Sequence, residues 1–190
     1  KAHYAQTGIQ VMPINTLFFF FFLKIANDPQ LRAADKLLFM PDLFVYFLTG
    51  VANNEYCIAS TSELLDAKKQ VWKTDLIEQL ELPAHIFGDI TMPNSIRGKI
   101  SEKIACETGL SEETEVITIP SHDTACAVVA IPSNAKQKAF LSSGTWSLLG
   151  AVIDEPILTE EARLAGFTNE ALPMVSVFYK TLPACGFCSD

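Results

Sequence analysis

A short β-branched run that ends beside a carboxylate constrains the fold of this chain more than any other feature. Val116 to Ile119 is β-branched throughout, Pro120 ends the run, and Asp123 stands just before an alanine-rich apolar stretch from Thr124 to Ile131. The first pattern predicts a buried strand, and the second predicts a helix packed on a sheet. A strand that leads directly into a helix indicates an α/β or α+β fold. Such folds bind ligands just beyond the carboxyl ends of strands, where Asp123 stands.

Two interpretations of Asp123 stay open on this segment alone. A carboxylate in that place can accept the proton of a substrate hydroxyl while the oxygen attacks phosphorus. It can also simply cap the helix that begins near Thr124. His122 has the same ambiguity, because it could bind a sugar hydroxyl or be an ordinary loop histidine.

A second candidate site lies about twenty residues further on. Ser142 to Thr145 separates two predicted strands, near Phe140–Leu141 and Trp146–Ile153, so the segment predicts a hairpin. Gly144 would let the backbone approach closely, and backbone N–H groups with the Thr145 hydroxyl could donate to nucleotide phosphates. An ordinary hairpin without a ligand remains the alternative, since the Walker pattern is absent.

Composition narrows the class of protein. The chain has 190 residues, of which 49% are hydrophobic and 19% charged, and this balance is typical of a globular protein. The net charge of −8 argues against a nucleic-acid partner, which would need clustered basic residues. The run Leu17–Leu23, with five consecutive phenylalanines, is too short to span a membrane and predicts a buried helix. The segment Ile131–Ala135 is the best candidate for a domain boundary.

Local signals predict further elements. Helices should begin after Asp28 and near Met40, the second ending at Gly50, and shorter ones should cover Thr74–Leu80 and Ser101–Thr108. The apolar spacing predicts that the first of these helices continues to Leu38, and Ile96–Ile100 predicts a short strand or turn.

The cysteines give a weaker signal. Their number, five, is odd, and Cys185-x-x-Cys188 could be a redox pair or half of a zinc site. No second ligand pair accompanies it, because the three histidines, His3, His85 and His122, are scattered along the sequence. We therefore predict no metal ligands in this chain and expect reduced thiols in the cytoplasm. A thiol-exchange protein is the weakest of the alternatives.

Several sequence blocks together carry a family resemblance. They are Thr7–Leu17, Leu37–Leu43 with Leu48–Gly50, Glu55–Thr61, Ser121–Ala125 with Ala127–Pro132, Leu141–Leu148 and Phe167–Glu170. In this order and at this spacing they resemble the FGGY family of carbohydrate kinases. Two motifs, His122-Asp-Thr-Ala125 and Ser142-Ser-Gly-Thr-Trp-Ser147, are most similar to the corresponding sequences of the members that act on L-rhamnulose.

The resemblance implies an actin/hexokinase-like fold of two ribonuclease-H-like domains with the active site in the cleft between them. Residues 1–134 would form most of the sugar-binding domain, and residues 135–190 would begin the nucleotide-binding domain. The implied reaction is the phosphorylation of L-rhamnulose at its 1-hydroxyl by ATP with Mg²⁺. A kinase of xylulose or fuculose and a non-catalytic sugar-binding remnant are the alternatives. Small molecules, and neither nucleic acid nor a membrane, would be the partners.

The resemblance also implies roles for particular residues. Asp123 would be the general base, and His122, Asp123 and Thr124 would line the ketose site. Gly144 and Thr145 would bind the ATP phosphates.

Two differences from the family affect what this chain can do alone. The family's N-terminal phosphate-binding segment and most of its adenine-binding domain have no counterpart here, and residues 171–190 do not match the family. We therefore expect an internal fragment that is inactive by itself.

Overall fold

The computed structural model describes residues 1–133, 135, 138–144, 146–172 and 174–182 of the chain. The helices of this part are α1 (Tyr4–Thr7), α2 (Thr16–Ile25), α3 (Pro29–Ala33), α4 (Met40–Thr49), α5 (Tyr56–Ser60), α6 (Thr74–Gln79), a 3₁₀ turn (Ala84–Ile86), α7 (Glu102–Thr108), α8 (Asp123–Val129) and α9 (Glu160–Leu164). The strands are β1 (Asn54–Glu55), β2 (Leu65–Asp66), β3 (Val71–Trp72), β4 (Ile90–Thr91), β5 (Ile96–Lys99), β6 (Glu115–Ile117), β7 (Lys138–Ser143), β8 (Ser147–Ile153), β9 (Phe167–Leu172) and β10 (Val175–Leu182).

An antiparallel sheet with the strand order β7-β8-β10-β9 dominates the C-terminal part. β7 and β8 form the hairpin that the sequence predicts around Ser142–Gly144. Helix α8 packs on this sheet, because Ala125 and Val128 share a buried cluster with Cys57 of α5, Leu172 of β9 and Val177 of β10. The predicted helix on a sheet is therefore confirmed, and the sheet is the antiparallel one.

The N-terminal part carries three two-stranded sheets, β1-β4, β2-β3 and β5-β6. The prediction of a strand near Val116 is confirmed by β6, but the prediction that it is buried is wrong. Ile117 is 50% exposed and Ile119 is 56% exposed. The physical reason is that Ile117 and Ile119 line an open cavity, whose other side is formed by residues of α4 such as Val45.

The phenylalanine run forms helix α2 as predicted, yet most of it is not buried. Phe20 enters the N-terminal core, whereas Phe19 and Phe22 are 59% and 64% exposed. A helix that contacts a core along one side buries only the stripe facing that core. The prediction that the whole run is buried is therefore wrong.

Local signals placed most helix ends correctly. Asp28 accepts a hydrogen bond from the Gln30 N–H and caps α3, and Ser101 caps α7 in the same way through the Ile104 N–H. Gly50 ends α4 in the left-handed conformation that glycine adopts without strain. The exception is α3, which ends at Ala33 rather than continuing to Leu38.

A buried ionic network connects α4 to the short strand β1. Asp42 is fully buried and accepts hydrogen bonds from Arg97 Nη1 at 2.7 Å, from Asn54 Nδ2 at 3.2 Å and from the Glu55 N–H at 3.0 Å. Arg97 also donates to the side chain and the carbonyl of Asn53. This network fixes the backbone at Glu55, which in turn supports the candidate site described below. In the described part of the chain, none of the helices has both the length and the apolar character needed to cross a bilayer.

Candidate active site

The turn that leads into α8 is held by a buried carboxylate. Glu55 is fully buried, and its Oε2 accepts the Ser121 N–H at 3.0 Å. The same carboxylate caps α5 through the N–H groups of Cys57 and Ile58. One side chain thus satisfies three backbone donors and joins two parts of the chain that are 66 residues apart.

Asp123 differs from Glu55 because its side chain is 94% exposed. It is the first residue of α8, and His122, not Asp123, occupies the N-cap position. Its Oδ1 accepts the Thr124 N–H at 2.6 Å, and the Thr124 hydroxyl lies 3.4 Å away. The helix end therefore uses one oxygen of Asp123, and no described residue donates to Oδ2.

His122 is held between two carboxylates. Its Nδ1 donates to Oε1 of Glu170 at 2.5 Å, and its Nε2 lies 3.5 Å from Oδ1 of Asp123. The hydrogen bond to Glu170 raises the pKa of His122, partial burial opposes this, and the charges of Glu170 and Asp123 add to the rise. Nearby Tyr179 has a pKa well above its ordinary value, mainly because it is buried and also because of the Glu170 charge. The surroundings therefore favour a positively charged imidazole beside Asp123.

Two cavities meet at His122 and Asp123. One, of about 570 Å³, is mostly apolar and is lined by residues such as Val45 and Ile119. The other, of about 460 Å³, is lined by side chains of α8, by the β7–β8 hairpin and by β10. Both volumes are in the range of small-molecule sites.

Most of the predicted site residues line the second cavity. His122, Asp123 and Thr124 form one wall, and Gly144 lies on another. A Cβ at Gly144 would meet nothing within 4 Å, so that backbone is open to the cavity. Thr145, the other predicted phosphate contact, lies outside the described residues.

Sequence reasoning missed several residues of this site. Glu55, Glu170 and Tyr179 support or border Asp123, and the exposed Trp146 lines the second cavity. Glu55 and Glu170 both stand within blocks that carry the family resemblance, which was the available signal. Neither forms a local pattern with His122 or Asp123, because the contacts span 48 to 66 residues.

Metal and thiol chemistry have less support. Among the described residues, no group of three or more His, Cys, Asp or Glu side chains could hold a metal ion. Magnesium, which the resemblance implies, is usually bound through one or two carboxylates together with substrate phosphates and water, so it does not require such a group. Cys57, Cys106 and Cys126 are free thiols, and burial raises the pKa of Cys57 far above its ordinary range. Cys185 and Cys188 lie outside the described residues.

Comparison with known proteins identifies the family. Residues 1–130 match the model of the N-terminal domain of the FGGY family of carbohydrate kinases. The chain belongs to this family. It is 43% identical over 167 residues to a rhamnulokinase of Bacteroides thetaiotaomicron, covering 88% of this chain and 34% of that protein. A rhamnulokinase of Oceanobacillus iheyensis is 39% identical over 167 residues, with 88% and 35% covered. The chain thus spans about a third of the length of these relatives.

Solved structures agree on the fold. A xylulose kinase from Rhodospirillum rubrum superposes with a TM-score of 0.85 at 15% identity, covering 97% of this chain and 37% of that one. A carbohydrate kinase from Novosphingobium aromaticivorans gives 0.78 at 23% identity, with 94% and 40% covered. The predicted actin/hexokinase-like fold, present in part, is confirmed.

Proposed function

We propose that this chain carries the sugar-binding part of an ATP-dependent ketose kinase, with Asp123 as the general base. The observation that carries the proposal is the position of Asp123, whose exposed carboxylate faces the same cavity as the backbone at Gly144. Phosphoryl transfer needs a base at the attacking hydroxyl and hydrogen-bond donors at the phosphate, within one small volume.

In the proposed reaction, Asp123 Oδ2 accepts the proton of the sugar hydroxyl while that oxygen bonds to the γ-phosphorus of ATP. The bond between this phosphorus and the bridging oxygen breaks, and ADP leaves. His122 and Thr124 would bind the sugar, and the backbone at Gly144 with Thr145 would bind the phosphates. Magnesium would accompany ATP and would neutralise charge on its phosphates.

We propose L-rhamnulose, phosphorylated at its 1-hydroxyl, as the substrate. The support is the 43% and 39% identity to the two rhamnulokinases. The apolar side chains of Met12, Ile14 and Trp146 in the cavity would suit the methyl group of a 6-deoxy sugar. We further propose that residues 1–134 belong to the sugar-binding domain and residues 135–190 to the nucleotide-binding domain of a cytoplasmic enzyme. The family match ending at residue 130 supports this division.

The test uses a chimera, because the chain spans about a third of its relatives. Residues 1–170 would replace the matching segment of the Bacteroides thetaiotaomicron rhamnulokinase. We expect the chimera to phosphorylate L-rhamnulose, and Asp123→Asn to lower kcat about 10²- to 10⁴-fold with little change in sugar binding. Asp35→Asn, which changes an exposed carboxylate elsewhere on the surface, is the matched control and should have no effect.

Each outcome has a defined meaning. Full turnover by the Asp123→Asn chimera would show that the base is a different residue. Preference for xylulose or fuculose over L-rhamnulose would refute the proposed substrate, and sugar binding without turnover would favour a non-catalytic remnant. The unmodified chain should not turn over sugar, and ATP binding with micromolar affinity would contradict the proposal that its nucleotide site is incomplete.

A further inference from the structure

Glu170 is a buried carboxylate that the proposed reaction does not use. It lies on β9 and is 1% exposed. Its Oε1 accepts the hydrogen bond from Nδ1 of His122, and among the described residues its Oε2 has no hydrogen-bond partner. Burying a carboxylate is costly unless a cationic partner compensates the charge. Among the described residues, His122 is the partner that can compensate the charge of Glu170.

The backbone of β9 keeps Glu170 in place. Glu170 pairs with Val177 in the antiparallel ladder of β9 and β10. The next residue, Ala171, donates its N–H to the Ser60 hydroxyl of α5 at 3.1 Å. The carboxylate therefore projects from a backbone that is held by both β10 and α5.

This anchoring determines which nitrogen of His122 faces the cavity. The two ring nitrogens point in different directions, so Nε2 turns towards Asp123 once Nδ1 is bonded to Glu170. A carboxylate that binds one nitrogen of a histidine fixes both the tautomer and the orientation of the ring. Nε2 is then directed at the base and at any hydroxyl that the base contacts, as an acceptor in the neutral ring and as a donor in the positively charged ring.

We propose that Glu170 is a positioning residue that holds His122 with Nδ1 protonated, so that Nε2 is presented to Asp123 and to the substrate hydroxyl, as a hydrogen-bond donor whenever the ring is positively charged. The catalytic part of this inference rests on the proposed function, whereas the orientation of His122 does not. When the ring is positively charged, either Asp123 or a substrate oxygen in the cavity could accept a hydrogen bond from Nε2–H. Besides Asp123, the titratable groups beside this pair are Tyr179 of β10 and Cys57 of α5, and the charge of Glu170 raises the pKa of both.

The chain contains its own matched control. Glu63 is also fully buried and bound to a histidine, with Nε2 of His3 2.7 Å from its Oε2. It also accepts hydrogen bonds from the side chain of Asn15 and the N–H of Met12. Glu63→Gln and Glu170→Gln thus make the same chemical change at two buried Glu–His pairs, of which one adjoins Asp123.

The experiment follows the imidazole nitrogens of the ¹⁵N-labelled 190-residue chain by long-range ¹H–¹⁵N NMR during a pH titration. We expect His122 to keep a protonated Nδ1 throughout, and Glu170→Gln to shift its titration to lower pH. Glu63→Gln should leave the His122 titration unchanged. An unchanged His122 titration in folded Glu170→Gln would overturn the inference. If that variant does not fold, the unmodified chain still decides, because a neutral His122 with a bare Nδ1 would contradict the inference directly.

A kinetic arm separates this inference from the proposed function. In an active chimera, Glu170→Gln should lower kcat more than it changes the KM for sugar. Glu63→Gln should change neither kcat nor KM. Equal effects of both variants would reduce Glu170 to a structural role. If the unmodified chimera is inactive, the proposed function fails, while the NMR result still tests the orientation of His122.

Discussion

Replacing Arg97 with methionine should destabilise the chain strongly. Arg97 is 4% exposed and donates to the fully buried Asp42, which also accepts the Glu55 N–H. Methionine keeps much of the side-chain volume but removes the charge and the donors. Asp42 would then be a buried carboxylate without its cation, and the acceptors on Asn53 would lose their partner.

The size of the loss follows from this burial. Removing one partner of a buried ion pair costs about 3–5 kcal/mol of unfolding free energy, because the remaining charge stays uncompensated. Removing both charges should not restore full stability. With Asp42→Ala in addition, the Glu55 N–H would lose its acceptor, which alone costs about 1–3 kcal/mol.

The assay is urea unfolding followed by circular dichroism, with Lys99→Met as the matched control. Lys99 lies two residues away on the same strand and pairs with Glu113 at the surface, where ion pairs contribute little. With a slope of about 2 kcal/mol per molar urea, Arg97→Met should lower the midpoint by about 1.5–2.5 M. Equal midpoints for the two variants would refute the argument, since they would show that Asp42 tolerates the loss of its partner.

Three further predictions concern other parts of the structure. Gly150→Ala should lower the unfolding free energy by about 1–3 kcal/mol, because its Cβ would lie 2.6 Å from a side-chain carbon and 2.7 Å from a backbone oxygen of β10. Gly144→Ala is the control in the same denaturation assay, because its Cβ would meet nothing within 4 Å. Equal losses of unfolding free energy in the two variants would contradict the clash. The His122–Glu170 pair should contribute fully to the unfolding free energy below pH 6.5, the pKa of histidine in the unfolded chain. This contribution should disappear as the pH rises through the raised pKa of His122 in the folded state. Parallel pH profiles of stability for the native chain and Glu170→Gln would contradict this prediction. Phe22→Gln should change the unfolding free energy by less than about 0.5 kcal/mol, because Phe22 is 64% exposed. A loss as large as that of a core truncation would show that Phe22 is buried.

Elements with local signals could be predicted from the sequence. Helix α4 has proline at its start and glycine at its end, and the structure ends it at Gly50 with φ of +76°. The β7–β8 hairpin likewise follows from two apolar runs around small residues. In each case the information lies within a few residues, so tertiary contacts were not needed to locate the element.

Burial could not be predicted in the same way. The runs around Phe20 and Ile117 are apolar enough to be core, yet exposed fractions depend on which other elements lie against them. An apolar pattern reports how a segment would pack if covered, and does not report whether a covering layer is there. The same limit explains why Glu170 was missed, since its partner His122 is 48 residues away.

Three carboxylates around one turn are suited to different roles, because their surroundings differ. Glu55 is fully buried and bonded to backbone N–H groups, so it can hold the turn but cannot meet a substrate. Glu170 is buried against His122, so it can orient that ring. Asp123 alone of the three is exposed at the cavity. Because a general base must contact the proton that it removes, the exposures of these side chains by themselves favour Asp123 for that role and the other two for support.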